Sequence, residues 1–495
     1  MRVSVKQILC ALLAGLMLSS TSCSGTETET KPTETTAQAD AVETEAELTE
    51  NELYPLPQTE MGGMELRFLN YSPEKITWAL IQIDAEEENA DLINDEIYHR
   101  NLRIEDTYDC LISETQFDDP PTTYKNMIRS GDDAYDIGMI YDNALPSFMT
   151  EGMIYSWDHL PYVDLERSWW DQGANSVFSF HGQNFAAVGD FYLGMLTRGF
   201  IIVFNKDMYA NMGLEYNLYD LVREGKWTLD RYAEIAEQIV MDLNGDGVMD
   251  DKDQYASAGA NKLYFASLLI GSGVKYFALD ESGQPYFTIP TDSRAMDVMM
   301  KISQMHEGKN FYFQHYFDTV HSGSNESREM FNNGQLLFQG TAINSTKYYR
   351  ECDFDIGILP FPKYDDAQEE YYVHTSECGV TTVPVTVPAD RLEYISILLD
   401  ALCRDSQHGL HSQYKETVLK SKYSRDEDSA EMLDIIFDSA AYDLGLSIWP
   451  SETHYKYMEL YMKGQNTFAS TTESIQKSIE KTLETFSAAI AENMN

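Results

Sequence analysis

Short β-type runs alternate with helical periods along most of this 495-residue chain, and that alternation limits the folds open to it. Glu65 to Asn70 (ELRFLN) reads as a first strand. Asp91 to Tyr108 sets Leu92, Ile93, Ile97, Leu102 and Ile104 along one side of a helix. A helix end at Met127–Ser130 and a turn at Gly131–Asp133 lead into a buried strand over Tyr135–Tyr141, and Gly199 to Phe204 (GFIIVF) is a further apolar run. Strands separated by helices imply an α/β lobe, because each helix covers a sheet face. Thr228 is placed to cap a helix in which Leu229, Tyr232, Ile235, Ala236, Ile239 and Val240 recur at helical spacing. The second half is more helical. Met330–Phe338 reads as a helix end and strand, and Phe354–Leu359 as a strand closed by Pro360-Phe361-Pro362. Leu392–Leu402, Ala430–Phe437 and Ser474–Ala491 read as helices.

The first 58 residues cannot join that core. Arg2 and Lys6 precede Ile8–Leu18, eleven apolar residues, too short a run to anchor in a bilayer. Small residues from Ser19 to Ser22 then lead to Cys23, a pattern similar to the bacterial lipobox, with Ser20 standing where an aliphatic residue is usual. The expectation is a signal peptide over 1–22 and lipidation of Cys23; plain secretion with cleavage nearby is the alternative. Residues 24–58 hold nine acidic residues against one Lys, a composition that self-repels into an extended tether, so 23–58 is read as an acidic disordered tether.

The net charge of −46 argues against partners that need a positive surface, nucleic acid and anionic lipid among them. The 32 Tyr, 22 Phe and 6 Trp suit sugar or peptide faces, although most rings must serve the core. Beyond Cys10 and Cys23, four cysteines remain: Cys110, Cys352, Cys378 and Cys403, none at metal-ligand spacing. Cys352 and Cys378 flank neighbouring strands and are placed to pair, or all four are buried thiols. No P-loop, GxGxxG, HExxH or GxSxG motif occurs. With 81 acidic residues, finding some pair of carboxylates carries no information about glycoside hydrolysis.

The strongest local signal is Asp242-Leu243-Asn244-Gly245-Asp246-Gly247-Val248-Met249-Asp250-Asp251-Lys252-Asp253. Asp242, Asn244, Asp246, Asp250 and Asp253 set oxygen ligands at loop positions 1, 3, 5, 9 and 12; Val248 offers its carbonyl, and Gly247 sits at the sharp turn. The expectation is a lone structural Ca2+ clamp rather than a paired sensor, because no exit helix follows. An Asp/Asn/Gly-rich turn without an ion is the bland alternative.

Several segments in order resemble the extracellular solute-binding proteins of family 1, the carbohydrate-type receptors of bacterial ABC importers. They are Ser130-Gly131-Asp132-Asp133-Ala134-Tyr135-Asp136-Ile137, Gly182-Gln183-Asn184-Phe185-Ala186-Ala187, Phe204-Asn205-Lys206-Asp207, Trp227-Thr228-Leu229, Phe331-Asn332-Asn333-Gly334-Gln335 and Asp355-Ile356-Gly357-Ile358-Leu359-Pro360. The likeness spans roughly residues 60–490. It implies an α/β, two-lobed periplasmic-binding-protein-like fold of type II, with an interlobe ligand cleft and a helix-rich second lobe. The first lobe is expected over 59–180 plus part of 341–400, the second over 181–340 and 401–495. Ligand would close the lobes, and the closed form would dock on a permease.

The expected function is capture of a carbohydrate, an oligosaccharide, at the outer face of the cytoplasmic membrane, by a lipid-anchored monomer that performs no reaction. An anchored glycoside-processing enzyme and a peptide-binding or adhesion module are the alternatives. Tyr141, Asp142 and Asn143 leave a strand end, where open α/β sheets present ligands. Trp169, Trp170 and Asp171 resemble the family's aromatic-acid segment, and Asn261, Tyr264 and Phe265 fall where maltose-type relatives place an acid and an aromatic, the acid being absent here. Gln339 and His374 complete the candidate set, and packing is the competing role for each.

Overall fold

The computed structural model describes residues 53–259, 261–305, 310–313, 326–350, 352–376, 379–415 and 427–493. The signal segment, Cys23, most of the tether and Cys378 lie outside them. Two sheets organise the chain from Tyr54 onward. Strands β1 (Met64–Tyr71), β2 (Cys110–Phe117) and β3 (Ile137–Tyr141) are parallel, with Phe68 of β1 opposite Ile137 of β3. The strand Gly379–Thr382 returns to this sheet antiparallel to β3, giving the order 379–382, β3, β1, β2. Helix Leu92–Tyr108 covers β2 and Pro120–Ser130 covers β3. Asp91 caps the first of these by accepting the Ile93 and Asn94 N–H groups, and Asp119 caps the second.

The second sheet has five strands, in the order Phe311–Phe313, Tyr255–Gly259, Leu336–Ala342, Phe200–Asn205 and Ile356–Leu359. Its central strands Phe200–Asn205 and Leu336–Ala342 are buried at every position; the first reads as an apolar run up to Asn205, and the second also buries Gln339 and Thr341. Thr228 caps Leu229–Ala236 as expected, and that helix stops about a turn short of Val240.

The chain passes between the sheets on paired segments. Ala187 bridges Thr381 beside the first sheet, and Gly199 bridges Thr375 beside the second. Helix Leu392–Ser406 packs on Leu92–Tyr108, whereas Glu427–Asp438 packs on Ile356–Leu359. The terminal helix Phe468–Asn493 lies against Pro285–Phe287 and reaches Leu145–Thr150, where Asn493 Nδ2 donates to Met149 O and Thr150 O, each at 3.0 Å. The terminal helix thus contacts elements of both lobes. Asp136, in the Ser130–Ile137 segment, is fully buried between two guanidiniums: Arg67 Nε and Nη2 at 3.0 Å, and Arg391 Nε at 3.1 and Nη2 at 2.9 Å. Its job is to tie β1, β3 and the approach to helix Leu392–Ser406 together.

Candidate functional site

A cleft of about 380 Å³ opens where β3 ends. On one side stand Tyr141, Asp142, Asn143 and Trp78, the last from the connection after β1; on the other stand Leu446, Ser447, Pro450 and Tyr455. The second wall belongs to the other lobe, because helix His454–Met462 packs on Asn261–Gly271 and thereby on the second sheet.

The near wall is a stack of rings. Trp78 lies 6.5 Å from Tyr141 with planes 13° apart, and Tyr141 meets Tyr71 at 4.5 Å. The Tyr71 hydroxyl accepts the Tyr141 N–H at 3.1 Å, and burial raises its pKa, keeping the phenol neutral. The stack emerges at Trp78, 38% exposed; Tyr455, across the cleft, is also 38% exposed. Asp142 is 4% exposed and opens the short 3-10 turn Asp142–Ala144, its Oδ1 accepting the Asn143 N–H at 2.8 Å. The far wall is braced by Asp443, fully buried and pushed up to about 6 by that burial. It accepts N–H groups from Tyr276 and Gly445 at 2.7 Å and from Phe277 at 3.3 Å. Thr453 Oγ1 bonds the Gly445 and Trp449 carbonyls, fixing the turn that presents Ser447 and Pro450. Such a site offers flat apolar faces and a few fixed polar groups, the combination that holds sugars by C–H stacking and hydroxyl bonding.

The other candidates lie elsewhere. Trp169 and Trp170 are each 1% exposed, and both indole N–H groups donate to Asp400 Oδ1, at 2.8 and 3.1 Å, so these rings are core. Asp171 caps helix Gln172–Val177, accepts the Tyr442 hydroxyl at 3.1 Å, and lines a smaller cavity of about 130 Å³ with Asp190 and His411. Tyr264 and Phe265 are buried: the Tyr264 hydroxyl meets that of Tyr232 at 2.8 Å, and Phe265 stacks on Tyr461 at 4.8 Å. Asn261 opens helix Asn261–Gly271, and its side chain lies outside the described residues. Gln339 is buried in the second sheet, its Nε2 donating to Ser327 Oγ at 3.2 Å. His374 is buried against Phe200 with Nδ1 3.1 Å from Ser267 Oγ, and burial holds it far below the usual imidazole range. The sequence thus located three cleft residues and missed Trp78, Ser447 and Tyr455. The available signal was an aromatic residue, Trp78 outside any helix or strand and Tyr455 on helix His454–Met462, a signal shared with many core rings.

In the 242–253 loop, Asp242 accepts N–H groups from Gly245 and Gly247, at 2.6 and 2.8 Å, and Asn244 Oδ1 and Asp246 Oδ1 accept those of Asp246 and Val248, both at 2.8 Å. Gly245 and Gly247 take the positive φ values, 74° and 79°, that the turns require. Asp253 is fully buried and accepts N–H groups from Leu243 and Asp250, both at 2.9 Å. Among the described residues no group of three or more His, Cys, Asp or Glu converges as a metal-holding set. The Cys352 thiol sits 3.2 Å from Asn332 Oδ1. None of the described helices is long and apolar enough to cross a membrane.

No protein-family model matches the sequence, and no curated protein does. Solved structures do. An ABC substrate-binding protein from Listeria monocytogenes in complex with cycloalternan aligns with TM-score 0.50 at 14% identity, covering 87% of this chain and 99% of that one. UgpB from Mycobacterium tuberculosis in complex with glycerophosphocholine gives 0.52 at 14%, covering 86% and 98%. A cyclic alpha-maltosyl-1,6-maltose binding protein from Arthrobacter globiformis gives 0.51 at 12%, covering 87% and 99%. The cleft between two sheet-centred lobes therefore sits in the two-lobed α/β architecture of the type II solute-binding proteins, the fold that this chain shares with these solved binding proteins.

Proposed function

We propose that this protein is a receptor that captures a carbohydrate between its lobes, outside the cell, and passes it unaltered to an ABC permease. One observation supports this most: the interlobe cleft is lined from one side by an exposed ring, Trp78, beside Asp142 and Asn143, and from the other by an exposed ring, Tyr455, beside Ser447. Two of the solved structures that share the fold are of sugar-binding proteins, one in complex with cycloalternan and one that binds cyclic alpha-maltosyl-1,6-maltose. Lipidation at Cys23, an oligosaccharide rather than a monosaccharide, and a monomeric state belong to the same reading.

Thermal unfolding against a panel of neutral oligosaccharides, with chromatography of the sugar afterwards, tests the proposal. A receptor gains melting temperature and returns the sugar intact; at a hundredfold excess over Kd the gain is about 2.7 kcal/mol. Shorter products, or stabilisation by peptides alone, overturn it.

We also propose that the 242–253 loop takes Ca2+ as a structural clamp. Its ligand spacing supports this, and each carboxylate oxygen that accepts one N–H keeps a lone pair for a cation. A chelator is expected to lower the melting temperature of the wild type and to leave Asp246→Ala unmoved. An identical melt of the wild type with and without chelator removes the ion from the account.

A further inference from the structure

Both halves of the cleft's near wall are braced from the last two residues of β1. Successive side chains of a strand point to opposite faces, so Asn70 and Tyr71 reach different segments. Asn70 is buried, and its Nδ2 donates to Ile81 O at 2.7 Å and to Glu114 Oε1 at 2.6 Å. The other Glu114 oxygen accepts the N–H groups of Ile83 and Asp84, at 3.2 and 3.3 Å. Together the two side chains hold the return half of the connection that carries Trp78. That connection, residues 72–91, joins no helix or strand, so side chains supply partners that a ladder would otherwise give. On the other side, the ladder of β1 with β3 pairs Phe68 with Ile137 and Leu69 with Gly138, and ends before the cleft. Beyond it the Tyr71 hydroxyl accepts the Tyr141 N–H at 3.1 Å, and the two rings meet at 4.5 Å.

We infer that Asn70 and Tyr71 are positioning residues for the ligand, which fix the Trp78 and Tyr141 rings at 6.5 Å and 13° to each other before any ligand arrives. A ring held in place beforehand spares binding the entropy cost of ordering it. The inference rests on the carbohydrate reading above and names residues that serve that site from behind its lining.

Trp78 supplies the probe. It is 38% exposed and the other five tryptophans are 6% exposed or less, so acrylamide quenching of the full chain's fluorescence reads Trp78. Quenching is measured beside thermal melting and calorimetric titration with maltotetraose, cellotetraose and mannotetraose. Asn70→Ala is expected to increase quenching and to weaken the tightest sugar roughly tenfold. Added to Trp78→Ala, it is expected to cost less than about threefold more, because it acts through that ring. Thr228→Ala, which loses a helix cap in the second lobe, is expected to lower the melting temperature and to move neither quenching nor affinity. Tyr71→Phe keeps the ring and is expected to weaken binding about fivefold or more with little change in melting; it decides should Asn70→Ala fail to fold. Wild-type quenching and affinity in Asn70→Ala, losses that add in full with Trp78→Ala, or wild-type affinity in Tyr71→Phe overturn the inference and leave the carbohydrate reading standing. If no sugar of this set or of a wider neutral panel binds, the carbohydrate reading falls, and unchanged quenching in Asn70→Ala then overturns the positioning role separately.

Discussion

Asp400 accepts the indole N–H groups of Trp169 and Trp170 on one oxygen, while Arg404 Nε donates to the other at 2.5 Å and lies over the Trp169 ring at 4.3 Å. Burial tends to raise the carboxyl pKa, and these three donors oppose it. Asp400→Ala leaves two indoles and a guanidinium short of an acceptor in a buried place. It is expected to cost about 3–5 kcal/mol in urea unfolding. The adjacency of Trp169, Trp170 and Asp171 was legible in the sequence as an aromatic-acid segment; the acid that matters was not, because it lies some 230 residues away on helix Leu392–Ser406. Trp78 is the converse case, a ring whose exposure only the assembled cleft reveals. Trp78→Ala is expected to weaken sugar binding tenfold or more, with little change in melting temperature, because a half-exposed ring contributes less to the core than to a stacked ligand. Titration of the variant against the tightest neutral sugar reads this directly.

The terminal helix Phe468–Asn493 shows how an element joins stability to the site. Its buried face, Phe468, Thr472, Ile475, Ile479, Leu483, Phe486 and Ile490, follows helical spacing, so the sequence announced the helix. It could not announce what that face meets. Phe486 packs edge-on to Phe180 at 5.1 Å and to Trp449 at 5.2 Å. Trp449 immediately precedes Pro450 of the cleft wall. Phe486→Ala is therefore expected to cost about 3–5 kcal/mol and also to weaken sugar binding, since the far wall loses its backing. Unfolding and calorimetric titration of the same sample separate the two effects, and intact affinity in a destabilised variant would show that the wall stands without the helix. Local elements were readable for the same reason throughout: caps such as Thr228 and runs such as Phe200–Asn205 depend on near neighbours. The pairing of Gly379–Thr382 with β3 depends on residues more than two hundred positions apart, and so entered only through the resemblance.

At the scale of the whole molecule, charge and buried titratable groups pull stability in opposite directions with pH. His374 is buried and His411 partly buried; burial holds His374 far below the usual imidazole range and brings His411 down to about 4. A depressed imidazole contributes stability that is full above the unfolded value of about 6.5 and is lost as pH falls toward the folded value. Asp443, at about 6, works the other way: its contribution is full below the unfolded value of about 3.9 and is lost as pH rises through 6. Burial raises Asp171, Asp190, Asp400, Glu105 and Glu114 in the same sense as Asp443. Asp95, Glu151, Asp250, Asp280 and Glu459, held low by hydrogen bonds, act with the imidazoles, but they are exposed or nearly so and count for little, whereas acidification relieves the self-repulsion of a chain at −46. Maximum stability is therefore expected on the acid side of neutrality, near pH 5–6, and about 0.5 M NaCl is expected to raise the melting temperature more at pH 8 than at pH 5. Melting curves on a grid of pH and salt check both statements. An optimum above pH 7 with no salt gain at pH 8 would mean that the imidazoles, rather than the acidic surface, govern how this protein tolerates acid.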